Sequence, residues 1–321
     1  MARGGNSAGS GGTRSDPLRR LAAQLGEEAQ LDAPLAPFSA VGIGGRADLL
    51  VVARRRETLV RVLREARELG LPFRFFGGMT NVLLPDEGLR GIVVLNRMRG
   101  HRLHRNRLHL EGGTVIAPLA RRIVKYGLGG LEWAVGLPGT VGGALVGNAG
   151  AYGGEIGDIV EEAELLSPQG EVVRVGADWF DFAYRTSRLK ETAEPWVILS
   201  ATLRLHPEEL AALQVSVQRN LEHRRRTQPR GRSLGSVFRN PPGDYAGRLI
   251  DAAGLKGLRR GGIVVSEKHA NFFINEGGGT AADYLALIRE VQERVMERFG
   301  LWLEPEIEIV GAAAEVAARG R

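Results

Sequence analysis

Twelve of the 31 residues from 127 to 157 are glycine, and only Glu132 and Glu155 carry charge there. Glycine loses more conformational freedom on folding than any other residue. Such density is retained where the chain needs positive φ or has no room for a side chain. A flexible linker would be polar and Ser/Gly-rich. Here the glycines alternate with Leu131, Trp133, Val135, Leu137, Val141, Leu145, Val146 and Tyr152, residues that gain by burial. Two readings fit: a tightly packed structural loop, or a bare-backbone surface whose N–H groups cradle a flat, phosphorylated cofactor.

The 321 residues suffice for one large domain or two to three smaller ones. The 45 glycines are about twice ordinary usage, so much of the fold is loop pressed against something. The chain has no cysteine, which excludes disulfides, thiolate catalysis and Cys-ligated zinc or iron–sulfur clusters. Its six histidines show no H-x-x-x-H spacing, and no metal is expected. The net charge of +6 raises the question of nucleic acid. The basic runs, Arg54-Arg55-Arg56 and His223-Arg224-Arg225-Arg226, are short and lack interleaved aromatics. They read as solvated faces or contacts to small anions, with no nucleic-acid partner. No apolar run approaches the roughly 18–20 residues of a membrane span, so no membrane partner is expected. Residues 1–16 lack a signal-peptide core and read as a disordered tail, and 312–321 as a flexible one. The expected location is the cytoplasm.

Gly42-x-Gly44-Gly45 precedes a strand at 47–53, the reverse of the strand–glycine–helix order of a Rossmann fingerprint. Apolar periodicity predicts helices over 17–31, 57–69, 116–126, 207–226, 245–253 and 280–299. Strands are predicted at 73–76, 82–84, 91–95, 196–205, 262–265, 271–274 and 303–310, with hairpins over 100–112 and 159–175. Strands and helices alternate irregularly, which argues α+β. Two boundaries, near 100 and 206, divide the chain into units 17–100, 101–206 and 207–311. The strand at 73–76 runs into Gly77-Gly78-Met79-Thr80-Asn81, a turn that suits a pyrophosphate, although a plain tight turn explains it equally.

Three places have the residue types for chemistry. Tyr184-Arg185-Thr186-Ser187 follows an aromatic run, and its guanidinium is either a structural cation–π partner or an anion contact. Ser236, after Gly235, is a turn residue or a reactive hydroxyl; no G-x-S-x-G or His–Asp pair supports a hydrolase triad. Strand alternation puts Glu304, Glu306 and Glu308 on one face, normally a solvated column, with one member free to approach a reacting centre. His269, in a strand-rich setting, reads first as a structural histidine.

Taken together, these stretches resemble the UDP-N-acetylenolpyruvoylglucosamine reductase family. The matching segments are Gly42-Ile43-Gly44-Gly45, Gly136-Leu137-Pro138-Gly139-Thr140-Val141-Gly142-Gly143-Ala144, Asn148-x-Gly150-Ala151-Tyr152-Gly153, Tyr184-Arg185-x-Ser187, Gly235-Ser236-Val237-Phe238-x-Asn240-Pro241, Val265-Ser266-x-Lys268-His269-Ala270-Asn271-Phe272 and Leu303-Glu304-x-Glu306. The resemblance covers roughly residues 36–310. The short interval between Arg185 and Ser236 resembles the branch without an inserted tyrosine-bearing loop. One departure is Met79, where the family's Gly-x-Gly-Ser-Asn turn keeps bare backbone.

The resemblance implies an α+β fold: a two-part FAD-binding domain of the vanillyl-alcohol-oxidase type and a C-terminal α+β substrate domain. It implies non-covalent FAD, NADPH as reductant, and reduction of the enolpyruvyl ether of UDP-N-acetylglucosamine to UDP-N-acetylmuramate for peptidoglycan. FAD contacts are then expected from Gly44, Gly45, Gly77, Gly78, Thr80, Asn81, Gly136, Pro138, Gly139, Thr140, Gly142, Gly143, Asn148, Gly150, Ala151 and Tyr152. Substrate contacts are expected from Tyr184, Arg185, Asn240, Lys268 and His269. By similarity Arg185 and Glu306 sit at the substrate carboxylate and Ser236 delivers a proton to the adjacent carbon. A monomer is expected. Two other readings remain: a flavin oxidase of a small alcohol or sugar on the same fold, and a non-catalytic sugar-nucleotide-binding module. A histidyl or cysteinyl flavin tether within 127–157 is impossible, because neither residue occurs there.

Overall fold

The computed structural model describes residues 12–192 and 194–311. The tails expected at 1–16 and 312–321 lie outside the described residues, apart from 12–16, which open the first helix. The order of elements produces three packed bodies.

The first body is a mixed four-stranded sheet ordered Ala29–Pro34, Arg46–Ala53, Leu89–Asn96, Phe73–Phe76. Its first pair is antiparallel and the other two are parallel. Helices α1 (Gly12–Leu25) and α2 (Arg56–Glu68) cover one face. In α2 the buried Leu59, Val62, Leu63 and Ala66 recur at helical spacing, and Gly70 ends it at φ +61°. The helix expected over 17–31 stops at Leu25, where Gly26 turns left-handed at φ +57°. Residues 29–34 instead form an edge strand paired with 46–51.

The second body is an antiparallel sheet ordered Val172–Gly176, Val160–Leu166, Val197–Arg204, Arg107–Glu111, His101–His104. Its core takes in α3 (Ile116–Val124) and most apolar residues of the glycine-rich segment, including Leu131, Trp133, Val135, Val141 and Leu145. That segment contains α4 (Val141–Val146), and α5 (Arg188–Glu191) lies beyond the hairpin. The long helix α6 (Leu210–Thr227) lays Val217 and Leu221 on this second core. Asn220 Nδ2 donates to the Glu132 carbonyl at 3.0 Å.

The third body carries α7 (Ala246–Ala252), a sheet of Arg259–Arg260, Ile263–Val265 and Phe273–Asn275, and α8 (Ala281–Phe299). Thr280 and Asp283 form a capping box on α8. Asp86 of the first body accepts from the Ala281 and Ala282 N–H groups at 2.8 and 3.1 Å, a carboxylate at a helix N-terminus. The strand expected over 303–310 is mostly absent. Pro305 offers no N–H to a ladder; it makes an isolated antiparallel bridge with Phe238, and Glu308–Ile309 form a short strand parallel to Val82–Leu83 of the first body. The chain's end therefore returns to the first body.

Candidate active site

The strand Phe73–Phe76 ends in the turn 77–81, which meets the turn before α4. A Cβ on Gly77 would lie 2.4 Å from Thr140 Oγ1, and one on Gly78 3.2 Å from the Gly139 Cα. A Cβ on Gly139 would in turn lie 3.2 Å from Thr80 Oγ1. Only hydrogen atoms fit between these two backbones. The N–H groups of Gly78, Met79 and Thr80 donate to no protein acceptor among the described residues. Arg97 donates to the Gly77 carbonyl and so fixes the turn from behind.

Met79 adopts φ +49°, the left-handed conformation that favours glycine. Its side chain is 2% exposed and packs with Leu35, Leu50, Phe76 and Leu95 in the core of the first body. The bare backbone expected at this turn is retained, because the side chain faces the core. Met79→Gly relieves left-handed strain worth about 1–2 kcal/mol and removes core packing worth about 2–5 kcal/mol. Net destabilisation of about 1–3 kcal/mol is expected in urea unfolding, with FAD affinity changed less than about tenfold. A stabilised variant would show that the strain outweighs the packing.

These turns line a cavity of about 420 Å³, within the ordinary range for a small-molecule site. Its wall includes Gly142, Gly143, Gly147 and Gly150 of the glycine-rich segment and the apolar Phe76, Ile116, Leu137, Trp196 and Ile198. Arg185, Lys190, Arg224, Gln228, Ser236, Glu306 and Glu308 line the same space.

Ser236 and Glu306 are 70 residues apart in the sequence, yet the segment 236–239 lies between two others and unites them. Val237 N donates to the Asn271 carbonyl at 2.9 Å, and the Val237 carbonyl accepts from Glu306 N at 2.7 Å. Asn271 clamps Phe238 from both sides, accepting from its N–H at 2.9 Å and donating to its carbonyl at 2.8 Å. Asn81 Nδ2 donates to the Glu306 carbonyl at 3.2 Å, which ties this strand to the glycine turn. The Ser236 hydroxyl has no protein hydrogen-bond partner among the described residues, although it lines the cavity.

Arg185 sits in a tight turn closed by reciprocal Ala183–Thr186 backbone bonds of 3.1 and 3.2 Å. Its φ is +58°. The guanidinium donates to the carbonyls of Gly150 at 2.7 Å and Asn148 at 3.4 Å, and its Nε lies 3.2 Å from Glu306 Oε1. Burial pushes the Glu306 carboxyl above its ordinary range, against the opposing pull of Arg185, Lys190 and Arg239. Burial likewise raises Glu308, against Lys190 and Arg74.

Of the residues expected at the cofactor, Gly77, Gly78, Thr80, Asn81, Pro138, Gly139, Thr140, Gly142, Gly143, Gly150 and Ala151 line the cavity. Gly44, Gly45, Gly136, Asn148 and Tyr152 do not. A Cβ on Gly45 would lie 2.3 Å from the Asp86 carbonyl, and one on Gly44 3.0 Å from Leu84. Those two glycines serve packing against the 84–88 loop. Gly136 lies under Arg224. Asn148 is fully buried, bonded to Glu155, Ala183 and Gly157. Tyr152 turns into a neighbouring cleft of about 430 Å³, its ring 5.5 Å from that of His223.

Lys268 and His269 line that second cleft with Arg226 and Thr227, and it shares Ala151 and Gln228 with the main cavity. Burial holds His269 toward its neutral form. Two expected substrate contacts are not brought to either space. Tyr184 is 51% exposed, with its ring 5.2 Å from the Arg185 guanidinium. Asn240 Oδ1 accepts from Ala246 N at 3.1 Å at the start of α7. Lys190 and Gln228, which also line the cavity, carry no signal in the sequence. Arg224 belongs to the basic run that fits solvated faces or contacts to small anions, and it lines the cavity; of the three glutamates expected on one face, Glu306 and Glu308 line the cavity and Glu304 does not.

A flat heteroaromatic ring with a pyrophosphate needs an apolar wall, close backbone approach and unpaired N–H donors. The cavity supplies all three, so its residues fit FAD. A model of the FAD-binding domain matches residues 47–176, and one of the C-terminal domain of UDP-N-acetylenolpyruvoylglucosamine reductase matches 227–310. The reductase of that name from Rubrobacter xylanophilus is 44% identical over 285 residues, covering 88% of this chain and 95% of its own. That of Anaeromyxobacter dehalogenans strain 2CP-1 is 44% identical over 292 residues, covering 90% and 88%. The crystal structure of the Thermus caldophilus enzyme superimposes with a TM-score of 0.76 at 33% identity, covering 88% of this chain and 98% of that one. Fold and cavity define a flavin-dependent oxidoreductase on an α+β, two-part FAD-binding scaffold with a C-terminal domain. The chain belongs to the UDP-N-acetylenolpyruvoylglucosamine reductase family.

Proposed function

We propose that this protein is the NADPH- and FAD-dependent enzyme that reduces the enolpyruvyl ether of UDP-N-acetylglucosamine to UDP-N-acetylmuramate. The observation that carries this reading is the meeting of Arg185, Ser236 and Glu306 on the wall of the cavity lined by the glycine turns. Named relatives at 44% identity are reductases of this substrate, which favours this activity over an oxidase.

FAD, when bound, would supply the hydride chemistry that links NADPH to the terminal carbon of the enol ether. The turn 77–81 would hold its pyrophosphate through the N–H groups of Gly78, Met79 and Thr80, with the turn 138–140 packed against it, and Phe76, Leu137 and Trp196 would exclude water. As the substrate accepts hydride, negative charge moves onto its carboxylate as an enolate. Arg185 supplies a fixed cation there, in a site where such a group stabilises developing charge by several kcal/mol. Glu306, with its raised affinity for a proton, donates a hydrogen bond to the same oxygens when protonated. Ser236 gives its proton to the adjacent carbon; the enolate is basic enough to take it from a hydroxyl. The second cleft, with Lys268, Arg226 and His269, holds the anionic part of the sugar nucleotide.

The protein acts in the cytoplasm, as a monomer, in peptidoglycan precursor synthesis. Among the described residues, no helix is long and apolar enough to cross a membrane. The C-terminal substrate unit begins near 227, after α6, since that helix packs on the second body.

Purified protein is expected to carry a flavin absorption band that anaerobic NADPH bleaches. Acid precipitation should leave the FAD in the supernatant, because the cavity offers hydrogen bonds and no cysteine. Flavin that stays with the precipitated chain, or a band that NADPH leaves unchanged, would contradict the assignment.

A further inference from the structure

Lys190, like Arg224 and Glu308, is a charged group of the cavity wall to which the proposed chemistry gives no role. It stands on α5, five residues after Arg185, and its Nζ donates to the Arg185 carbonyl at 3.1 Å. Arg185 occupies the third position of the turn 183–186, where a positive φ ordinarily selects glycine or asparagine. A long side chain stays there only when its surroundings hold it. The guanidinium is held by Gly150, Asn148 and Glu306, and the carbonyl by Lys190. Beside the turn, Ser187 Oγ donates to the Val146 carbonyl at 2.7 Å, so the turn is anchored to α4 as well.

The charged groups facing Lys190 are Arg185, Arg239, Glu306 and Glu308, with Arg74 also near Glu308. Among the described residues neither carboxylate forms an ion pair with Lys190; Glu306 pairs with Arg185. An ammonium has three donors. One is committed to the Arg185 carbonyl, and the charge of the whole group faces both carboxylates.

We infer that Lys190 is a positioning residue: it holds Arg185 in its left-handed turn, so that the guanidinium stays beside Glu306 on the cavity wall. Removing the ammonium frees the turn to relax and takes one cation away from Glu306. A lost cation raises a neighbouring carboxyl's pKa, so any limb of a pH profile set by Glu306 moves to higher pH.

This inference rests on the role proposed for Arg185, and the test separates the two. Lys190→Met and Lys190→Arg are compared with the unmodified holoenzyme in anaerobic stopped-flow over pH 5–9. Each half-reaction is followed, and calorimetry measures binding of the enolpyruvyl sugar nucleotide. In Lys190→Met, flavin content and reduction by NADPH should match the unmodified enzyme. Reoxidation by the sugar nucleotide should slow by about tenfold to a hundredfold, the scale of a misplaced group, with weaker binding and the limb shifted upward. Lys190→Arg, which keeps a cationic donor, should recover most of the rate. Unchanged reoxidation and pH limb in Lys190→Met would overturn the inference, as would equal slowing of both half-reactions with a lowered Tm. If the unmodified enzyme itself is not reoxidised by the sugar nucleotide, it is the proposed function that fails.

Discussion

Ser236→Ala should reduce its flavin with NADPH at near the unmodified rate and then be reoxidised by the enolpyruvyl substrate about 10³- to 10⁴-fold more slowly. The first half-reaction moves no proton to the substrate. The second requires one at carbon, and a positioned general acid contributes roughly 10²–10⁴-fold. The geometry concentrates that role on Ser236. Its hydroxyl lines the cavity without a protein partner among the described residues, while Asn271 and Glu306 fix the backbone of the next residue, Val237, from both sides. Ser236→Cys should recover part of the rate, since a thiol is a donor of similar reach and lower pKa. A serine that merely completes the turn after Gly235, where φ is +79°, would instead lower stability and slow both half-reactions alike. Near-normal reoxidation in Ser236→Ala would move the proton donor to Glu306 or water.

The second large effect belongs to Arg185. Arg185→Met should leave FAD content intact and slow reoxidation by about 10²–10³-fold, the usual consequence of removing one donor from a developing oxyanion. It should also change the pH dependence in a defined direction. Arg185 is the largest single opponent of the burial that raises Glu306. Without it the carboxyl keeps its proton to higher pH, and the limb set by Glu306 shifts upward. Burial has already raised this group above its unfolded value, so its ionisation weakens folding as pH rises through the folded pKa. The variant retains the proton to higher pH, so the window over which stability falls extends further upward. A downward shift of the limb would show that the Arg185–Glu306 pair is not coupled as the 3.2 Å separation requires.

The glycine-rich stretch was legible as a surface for close approach, because density of that kind with so little charge has few other uses. What it approaches was less legible. Gly78 and Gly139 face each other at the cavity wall, whereas Gly45 is packed under the Asp86 carbonyl. The sequence of a glycine states that a side chain does not fit and is silent about the neighbour. Likewise Asn148 and Tyr152 belong to a motif whose backbone frames the site while their side chains point elsewhere. Helices with clear apolar periodicity, α2 and α8 above all, ended within a residue or so of expectation. The edge strand Ala29–Pro34 escaped notice because one exposed, polar strand has no period to read. Arg224 was hidden in a basic run on α6, where local sequence does not tell which of three neighbouring arginines turns inward. Lys190 became visible only when the chain's end returned beside Asn81 and brought Glu306 and Glu308 with it.

The central claim is that this cavity passes reducing equivalents from NADPH to an enolpyruvyl sugar nucleotide. The direct measurement is a single turnover without oxygen. Enzyme reduced by one equivalent of NADPH is freed of NADP and mixed with the enolpyruvyl ether of UDP-N-acetylglucosamine, while flavin absorbance and product mass are followed. The predicted result is full return of the oxidised flavin band with one equivalent of UDP-N-acetylmuramate per flavin. A flavin that stays reduced beside the sugar nucleotide and reoxidises only when oxygen is admitted would contradict it.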